Sequence, residues 1–132
     1  MEAIKKAGAL ILKDKNILIV RSKGKPLFIT PGGKYENNET AEGCLIRELQ
    51  EELQVQMVSF KHYKDYSFDK AAYSNYPLFI ELYIVKIKGE AKPSSEIEEM
   101  QWLSKEDFNN KKFNVAPSFY TFIPDFIKDG LL

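Results

Sequence analysis

The stretch from Thr40 to Leu53 constrains this chain most. It holds the clearest helical period in a sequence otherwise rich in strand-like runs: Ala41, Leu45 and Leu49 recur every fourth residue, with Cys44 and Leu53 beside them. Thr40 stands at the N-cap, where a hydroxyl can take a free amide of the first turn. Such a helix has one apolar stripe and must lay it on another element. The flanks supply a sheet. Ala7 to Leu12 and Ile17 to Val20 are short apolar runs on either side of Lys13-Asp14-Lys15-Asn16, which reads as a β-hairpin. Leu27 to Thr30 predicts a brief strand, and Pro31-Gly32-Gly33 predicts the end of regular structure there. Val55 to Tyr66 and Leu78 to Ile87 predict strands, residues 89–97 a loop, and Met100 to Leu103 a short strand. Ser104-Lys105-Glu106-Asp107 is a capping sequence opening a short helix. Ser118 to Lys128 reads as helix, interrupted at Pro124 and closed by Gly130. This order predicts an α+β (α/β) arrangement, a mixed sheet with helices packed on it.

A length of 132 residues predicts a single domain over 1–132. Nineteen basic residues balance nineteen acidic ones, so the chain has no overall attraction for a nucleic acid polymer. Cys44 is the only cysteine, which excludes an intrachain disulfide and fits a reducing compartment. No apolar run approaches the roughly 18 residues of a membrane helix. The start Met1-Glu2-Ala3-Ile4-Lys5-Lys6 has no signal-peptide core. The expected location is cytoplasmic, with no membrane partner.

Two local signals carry chemistry. Pro31-Gly32-Gly33-Lys34 brings unscreened backbone amides and carbonyls, with one positive charge, to a turn leading toward the helix. Taken by itself it reads equally as a surface turn. Glu48, Glu51 and Glu52 lie at i, i+3 and i+4, within an arc of about 100° that borders the apolar stripe. Like charges at that spacing repel. Hard oxygen donors on a rigid helix suit Mg2+ or Mn2+, which would remove the repulsion. Taken alone they also read as a solvated helix face on which Arg47 pairs with Glu51.

The two signals occur at fixed spacing. Five residues separate Gly33 from Glu39, seven more lead to Arg47-Glu48-Leu49, and Glu51-Glu52 follow after one residue. Together with the lead-in Pro31-Gly32-Gly33-Lys34, this closely resembles the Nudix box over Gly33 to Val55. The resemblance implies a Nudix-type α/β/α sandwich with a mixed β-sheet. It implies hydrolysis of a nucleoside diphosphate linked to another moiety, with Mg2+ (or Mn2+) as cofactor and a nucleotide-like small molecule as substrate. Glu48, Glu51 and Glu52 would be metal ligands, with the Gly32 carbonyl as a further one. Arg47 would orient Glu48, and Glu39 would brace the loop–helix junction. Lys34 and Arg21 would face the substrate's phosphates or nucleoside. The family often adds a glutamate from outside the box as ligand or general base. Glu96, six residues before Trp102, is the choice here, with Glu98 and Glu99 as competitors. Glu48, Glu51 and Glu96 all remain candidates for the base. The lead-in and short length look most like the antimutator type, which removes oxidised nucleoside triphosphates, with broader nucleoside triphosphate pyrophosphatases close behind; either gives a monophosphate and pyrophosphate. ADP-ribose and dinucleoside polyphosphates are alternatives within the class. A non-catalytic binding module is the alternative outside it, but such modules typically lose box glutamates, and this chain keeps them all. A homodimer is common among relatives.

One position departs from the pattern. Gln54 stands where the box has a glycine, a left-handed C-cap, so an altered helix end is expected. His62, Cys44, Trp102 and the cluster Phe119, Tyr120, Phe122 and Phe126 read as structural. Tyr73 and Asn114 are secondary candidates for substrate contact.

Overall fold

Alternate residues of a strand point to opposite faces, and the first apolar run uses both. In the computed structural model, which describes residues 2–132, β1 spans Ile4–Lys13. Ala7, Ala9 and Ile11 enter one core, while Leu10 enters the other. β2 (Asn16–Ser22) divides in the same way, with Leu18 and Val20 on the first face and Ile17 and Ile19 on the second. A strand buried on both sides belongs in the middle of a sheet with helices on each face. The expected β1–β2 hairpin forms through Asp14 and Lys15, both with positive φ, and Lys13 pairs with Asn16.

The remaining strands are β3 (Gly32–Lys34), β4 (Gln56–Phe68), β5 (Leu78–Lys88) and β6 (Ile97–Leu103). The strand order is β4-β5-β1-β2-β6, with β3 pairing β1 off that path. β1 and β5 run parallel and the other pairs are antiparallel, so the sheet is mixed, as expected. α1 (Ala41–Leu53) lays Cys44, Leu45, Leu49 and Leu53 on the first face. α3 (Phe119–Lys128) lays Phe119, Phe122, Ile123 and Phe126 on the second, giving the α/β/α layering. The short α2 (Lys105–Asn109) is capped by the Ser104 hydroxyl, which accepts from the Asp107 amide. No described helix is long and apolar enough to cross a membrane.

Four local expectations are corrected. Gly32–Lys34 forms a strand where an end of regular structure was expected. Two glycines have poor strand propensity, but here they let β3 approach Ala7 and Gly8 of β1 closely. Leu27 to Thr30 makes only isolated bridges, Phe28 with Val115 and Ile29 with Val20. β6 begins at Ile97, because β2 is long enough to pair back to Ser22. α3 runs through Pro124 without a break: burial of four side chains on one face outweighs one missing amide.

Candidate metal and active site

The site is built where α1, β3 and the loop before β6 meet. Thr40 caps α1 as expected, its hydroxyl accepting from the Gly43 amide at 3.1 Å. Glu48 and Glu52 are both buried against β3, one turn apart on the helix. Gly33 makes room for the first. A Cβ built there would sit 2.6 Å from the Glu48 carboxyl carbon, so any side chain would displace the carboxylate. Gly32 holds the second, its amide donating to Glu52 Oε1 at 3.0 Å. Gly32 itself has a φ of 125° and lies against the Ala7 carbonyl, 2.1 Å from where a Cβ would be. Only glycine fits that conformation and that space.

Glu96 completes the cluster. One carboxylate oxygen from each of Glu48, Glu52 and Glu96 lies within 4.8 Å of the others. The loop carrying Glu96 is tied to the end of α1 by its backbone. The Lys92 amide donates to the Leu53 carbonyl at 3.0 Å and the Ser94 amide to the Glu52 carbonyl at 2.9 Å. A helix end leaves its last carbonyls without intrahelical partners, and here the loop supplies them. Gln54 takes the left-handed conformation expected of a glycine (φ 56°, ψ 39°), and its amide bonds the Gln50 carbonyl. The expected alteration of the helix end is therefore corrected: the conformation is retained, and the Gln54 side chain donates to Ser94 Oγ.

Arg47 organises the outer side of the cluster. Nε and Nη2 bond the two oxygens of Glu39 at 2.7 and 2.9 Å, and Nη1 bonds Glu48 Oε1 at 2.8 Å. Nη2 also reaches the Lys34 carbonyl at 3.1 Å. This planar fork fixes Glu48 and ties helix to loop, a geometry a lysine cannot reproduce. Glu39 also accepts from the Glu36 amide at 2.8 Å. The Arg47 guanidinium and that amide hold the Glu39 carboxyl down at about 2.

Electrostatics separate the glutamates. Burial pushes the Glu52 carboxyl up to about 8; the Gly32 amide opposes this, and Glu48 and Glu96 reinforce it. Burial likewise raises Glu48, against its bonds to Arg47. Two buried carboxylates with a third beside them form an acceptor-only set that disfavours its own ionisation. A hard divalent cation relieves both costs.

The other expected residues fall in different places. Glu51 is half exposed, lies outside the cluster and sits 3.4 Å from Arg47 Nη1. Arg21 is engaged away from the cluster, pairing with Glu98 at 2.9 Å and Glu99 at 3.1 Å. Those pairings occupy the two competitors of Glu96. Lys34 is exposed at the end of β3. The Tyr73 hydroxyl accepts from the Leu27 amide, and Asn114 Nδ2 donates to the Pro26 carbonyl. Cys44 is fully buried, and burial raises its thiol to about 11, which suits an inert packing role.

Beside the cluster lies a cavity of about 250 Å3 lined by Gly32 and Gly33, by apolar side chains including Ile80, Phe68 and Phe122, and by Lys6. Lys6 is the residue that sequence reading missed. In the sequence it simply follows Lys5, and only its exit from β1 into the cavity distinguishes it.

Comparisons with known proteins agree on the fold and the family. The model of the NUDIX domain matches residues 4–126. No curated relative matches the chain. Among solved structures, the chain is similar to a MutT protein from Methanosarcina mazei Go1, at 22% identity and a TM-score of 0.80, covering 98% of each chain. It is also similar to a NUDIX hydrolase from Nitrosomonas europaea, at 16% identity and a TM-score of 0.80, covering 97% of this chain and 90% of that one. A bifunctional NMN adenylyltransferase/ADP ribose pyrophosphatase from Francisella tularensis, solved with AMP and a manganese ion, matches at 22% identity and a TM-score of 0.68. That match covers 97% of this chain and 42% of the other.

Proposed function

Because the chain belongs to the NUDIX family of hydrolases acting on pyrophosphate bonds, we propose that it is a metal-dependent pyrophosphohydrolase whose favoured substrate is a nucleoside triphosphate, canonical or oxidised, cleaved to monophosphate and pyrophosphate. The carrying observation is the convergence of Glu48, Glu52 and Glu96 within 4.8 Å, beside a cavity of nucleoside-like size. All their donors are carboxylate oxygens, and Gly33 leaves the space that Glu48 needs. The residues therefore fit Mg2+ or Mn2+, and the Gly32 carbonyl and Glu51 at the rim complete the proposed donor set. Bound there, such cations supply charge neutralisation at the pyrophosphate and a lowered pKa for the attacking water.

The chain's own residues do the rest. Arg47 holds Glu48 in one rotamer through its fork to Glu39, so the ligand side chain loses little entropy on binding. Gly32 fixes Glu52. Glu96 is exposed, and its Oε2 accepts from Ser95 Oγ at 2.7 Å. As the exposed member of the cluster it is the one open to solvent-borne water, and we assign it as general base. The lone Cys44 and the nucleotide substrate suit a cytoplasmic setting.

The test is a panel of canonical and oxidised nucleoside triphosphates, ADP-ribose and dinucleoside polyphosphates, incubated with Mg2+ or with chelator, with products identified by mass. Mg2+-dependent release of pyrophosphate from a triphosphate, abolished in Glu52→Gln, is the expected result. Release of AMP from ADP-ribose in preference would move the substrate assignment. No turnover with bound metal would overturn the reading.

A further inference from the structure

We propose that Lys6 is a substrate-binding residue of this site: its ammonium donates to a non-bridging phosphate oxygen of a nucleotide whose remaining part lies in the adjacent cavity. This rests on the reading that the substrate is a nucleotide pyrophosphate.

The argument begins with the register. Lys6 pairs with Lys34 on β3 and with Ile80 on β5, and Ala7 beside it pairs with Gly33. Alternation sends Ala7 to the α1 face and Lys6 to the cavity face, and Lys6 lines the cavity together with Gly32 and Gly33. Those two glycines touch Glu52 and Glu48. The ammonium therefore lies at the seam between the carboxylate cluster and the cavity, within Coulombic reach of both glutamates.

It has no partner there. Arg47 is committed to Glu39 and Glu48, and Arg21 to Glu98 and Glu99. Among the described residues, Lys6 makes neither an ion pair nor a side-chain hydrogen bond. A half-buried cation without an acceptor is costly to the fold. Cations held by Glu48 and Glu52 would cancel the attraction those carboxylates exert on Lys6, leaving it to an anion from outside. The cavity's polar lining points the same way. Its polar side chains are Lys6, Lys70, Thr30, Ser118 and Thr121, with no carboxylate, carboxamide or imidazole among them. Ammonium and hydroxyl donors match a ligand rich in acceptor oxygens. Arg or Asp at this place would read a base edge or a second metal; a point-charge lysine on an apolar wall suits a phosphate oxygen.

The experiment compares wild type, Lys6→Met and Lys6→Arg in two assays. The first is steady-state hydrolysis of the preferred triphosphate. The second is calorimetric binding, in Mg2+, of the α,β-imido analogues of ATP, GTP, CTP and UTP, which the proposed reaction cannot cleave. Lys6→Met is expected to raise KM and the analogue Kd together by about 10- to 100-fold, the weight of a charge-assisted hydrogen bond, with kcat little changed. Lys6→Arg is expected to recover most of that loss. Should Lys6→Met fail to fold, wild-type Lys6 is probed by reductive methylation, with the bound analogue expected to protect it. Unchanged KM and Kd, or no protection, overturns the proposal. The two readings fail separately. Turnover with Lys6-independent binding removes the role of Lys6 and leaves the hydrolase. Lys6-dependent binding without turnover removes the hydrolase and leaves Lys6. A wild type that neither binds nor cleaves any of these nucleotides removes both the triphosphate assignment and the role of Lys6.

Discussion

Replacing Glu52 by Gln separates what a buried carboxylate costs the fold from what it gives the site. Glu52 is 3% exposed, and burial raises its carboxyl from an ordinary 4.5 to about 8. Between those values the folded chain holds a proton that the unfolded chain has released. The stability this group contributes is fully present below pH 4.5. It is lost as pH rises toward 8, at about 1.4 kcal/mol per pH unit. Between pH 5 and 7 the loss is on the order of 3 kcal/mol for metal-free protein. Glu52→Gln keeps the acceptor for the Gly32 amide and cannot ionise. At pH 7 in chelator the variant is therefore expected to be more stable than wild type by on the order of 2–3 kcal/mol, roughly 10 °C in Tm for a chain of this size. The gap should narrow to near zero by pH 5. Saturating Mg2+ should raise the wild type and leave the variant unmoved, and wild-type affinity for Mg2+ should climb between pH 6 and 8 as a proton is displaced. The assay is urea and thermal unfolding at four pH values, with and without metal. Taking the difference between the two proteins cancels every group that titrates alike in both. A difference that is flat across pH, or a variant less stable than wild type at pH 7 in chelator, would refute the assignment of Glu52 as a strained, metal-ready carboxylate.

The two adjacent glycines should fail differently. Gly33→Ala puts its Cβ 2.6 Å from the Glu48 carboxylate and pushes that group off its Arg47 bond, so Mg2+ affinity measured by calorimetry should fall about 10- to 100-fold at a smaller cost to the urea midpoint than Gly32→Ala. Gly32→Ala drives a Cβ into the Ala7 carbonyl at a φ of 125°, and should cost more than about 4 kcal/mol or prevent soluble expression. Arg47→Lys keeps the charge but loses the fork to Glu39 and Glu48; kcat at saturating Mg2+ should drop by about tenfold or more. Gln54→Gly relieves a left-handed side-chain residue at φ 56° and should stabilise the protein by about 0.5–1 kcal/mol in urea, with kcat unchanged.

The sequence makes one half of the site legible and hides the other for physical reasons. Glu48, Glu52 and Arg47 sit on one helix whose period is set by local geometry, so their side chains converge wherever that helix packs. The Thr40 and Ser104 caps are equally local and appear as read. Lys6 carries no such signal, because which face of β1 it uses depends on the register with β3 and β5, a long-range property. β3 was hidden by its composition. Glycine is scored against strands for want of a side chain to pack, and here that lack is what brings the backbone to Ala7 and Glu48. Glu96 could be proposed from its distance to Trp102, yet Glu98 and Glu99 were as near in sequence. Arg21 separates them by taking both competitors into ion pairs. Pro124 shows tertiary packing overriding a local preference, since Phe122, Ile123 and Phe126 are all buried around it.

Part of the chain's conformational cost lies about the cluster. Gly32, Gln54 and Ser95 all have positive φ, and each lies close in the chain or by hydrogen bond to Glu52 or Glu96. Gly32 places an amide on Glu52. Gln54 turns the chain at the end of α1, and Ser95 precedes Glu96. The Lys92 and Ser94 amides then dock on carbonyls that α1 leaves open. Two of these three positions are occupied by residues with side chains, at a strain of about 1 kcal/mol each. Such strain persists only where surrounding contacts over-determine the backbone. The docking hydrogen bonds supply that constraint, so glutamine can hold the left-handed conformation usual for glycine there. The same bonds make the loop and the helix end one unit. A substitution that releases Ser94 from the Glu52 carbonyl, such as Ser94→Pro, should therefore weaken Mg2+ binding through Glu96 although it removes no ligand side chain. Calorimetric titration of that variant beside Glu96→Gln tests the argument: equal losses support it, and wild-type affinity in Ser94→Pro would break the link between the strained backbone and the metal site.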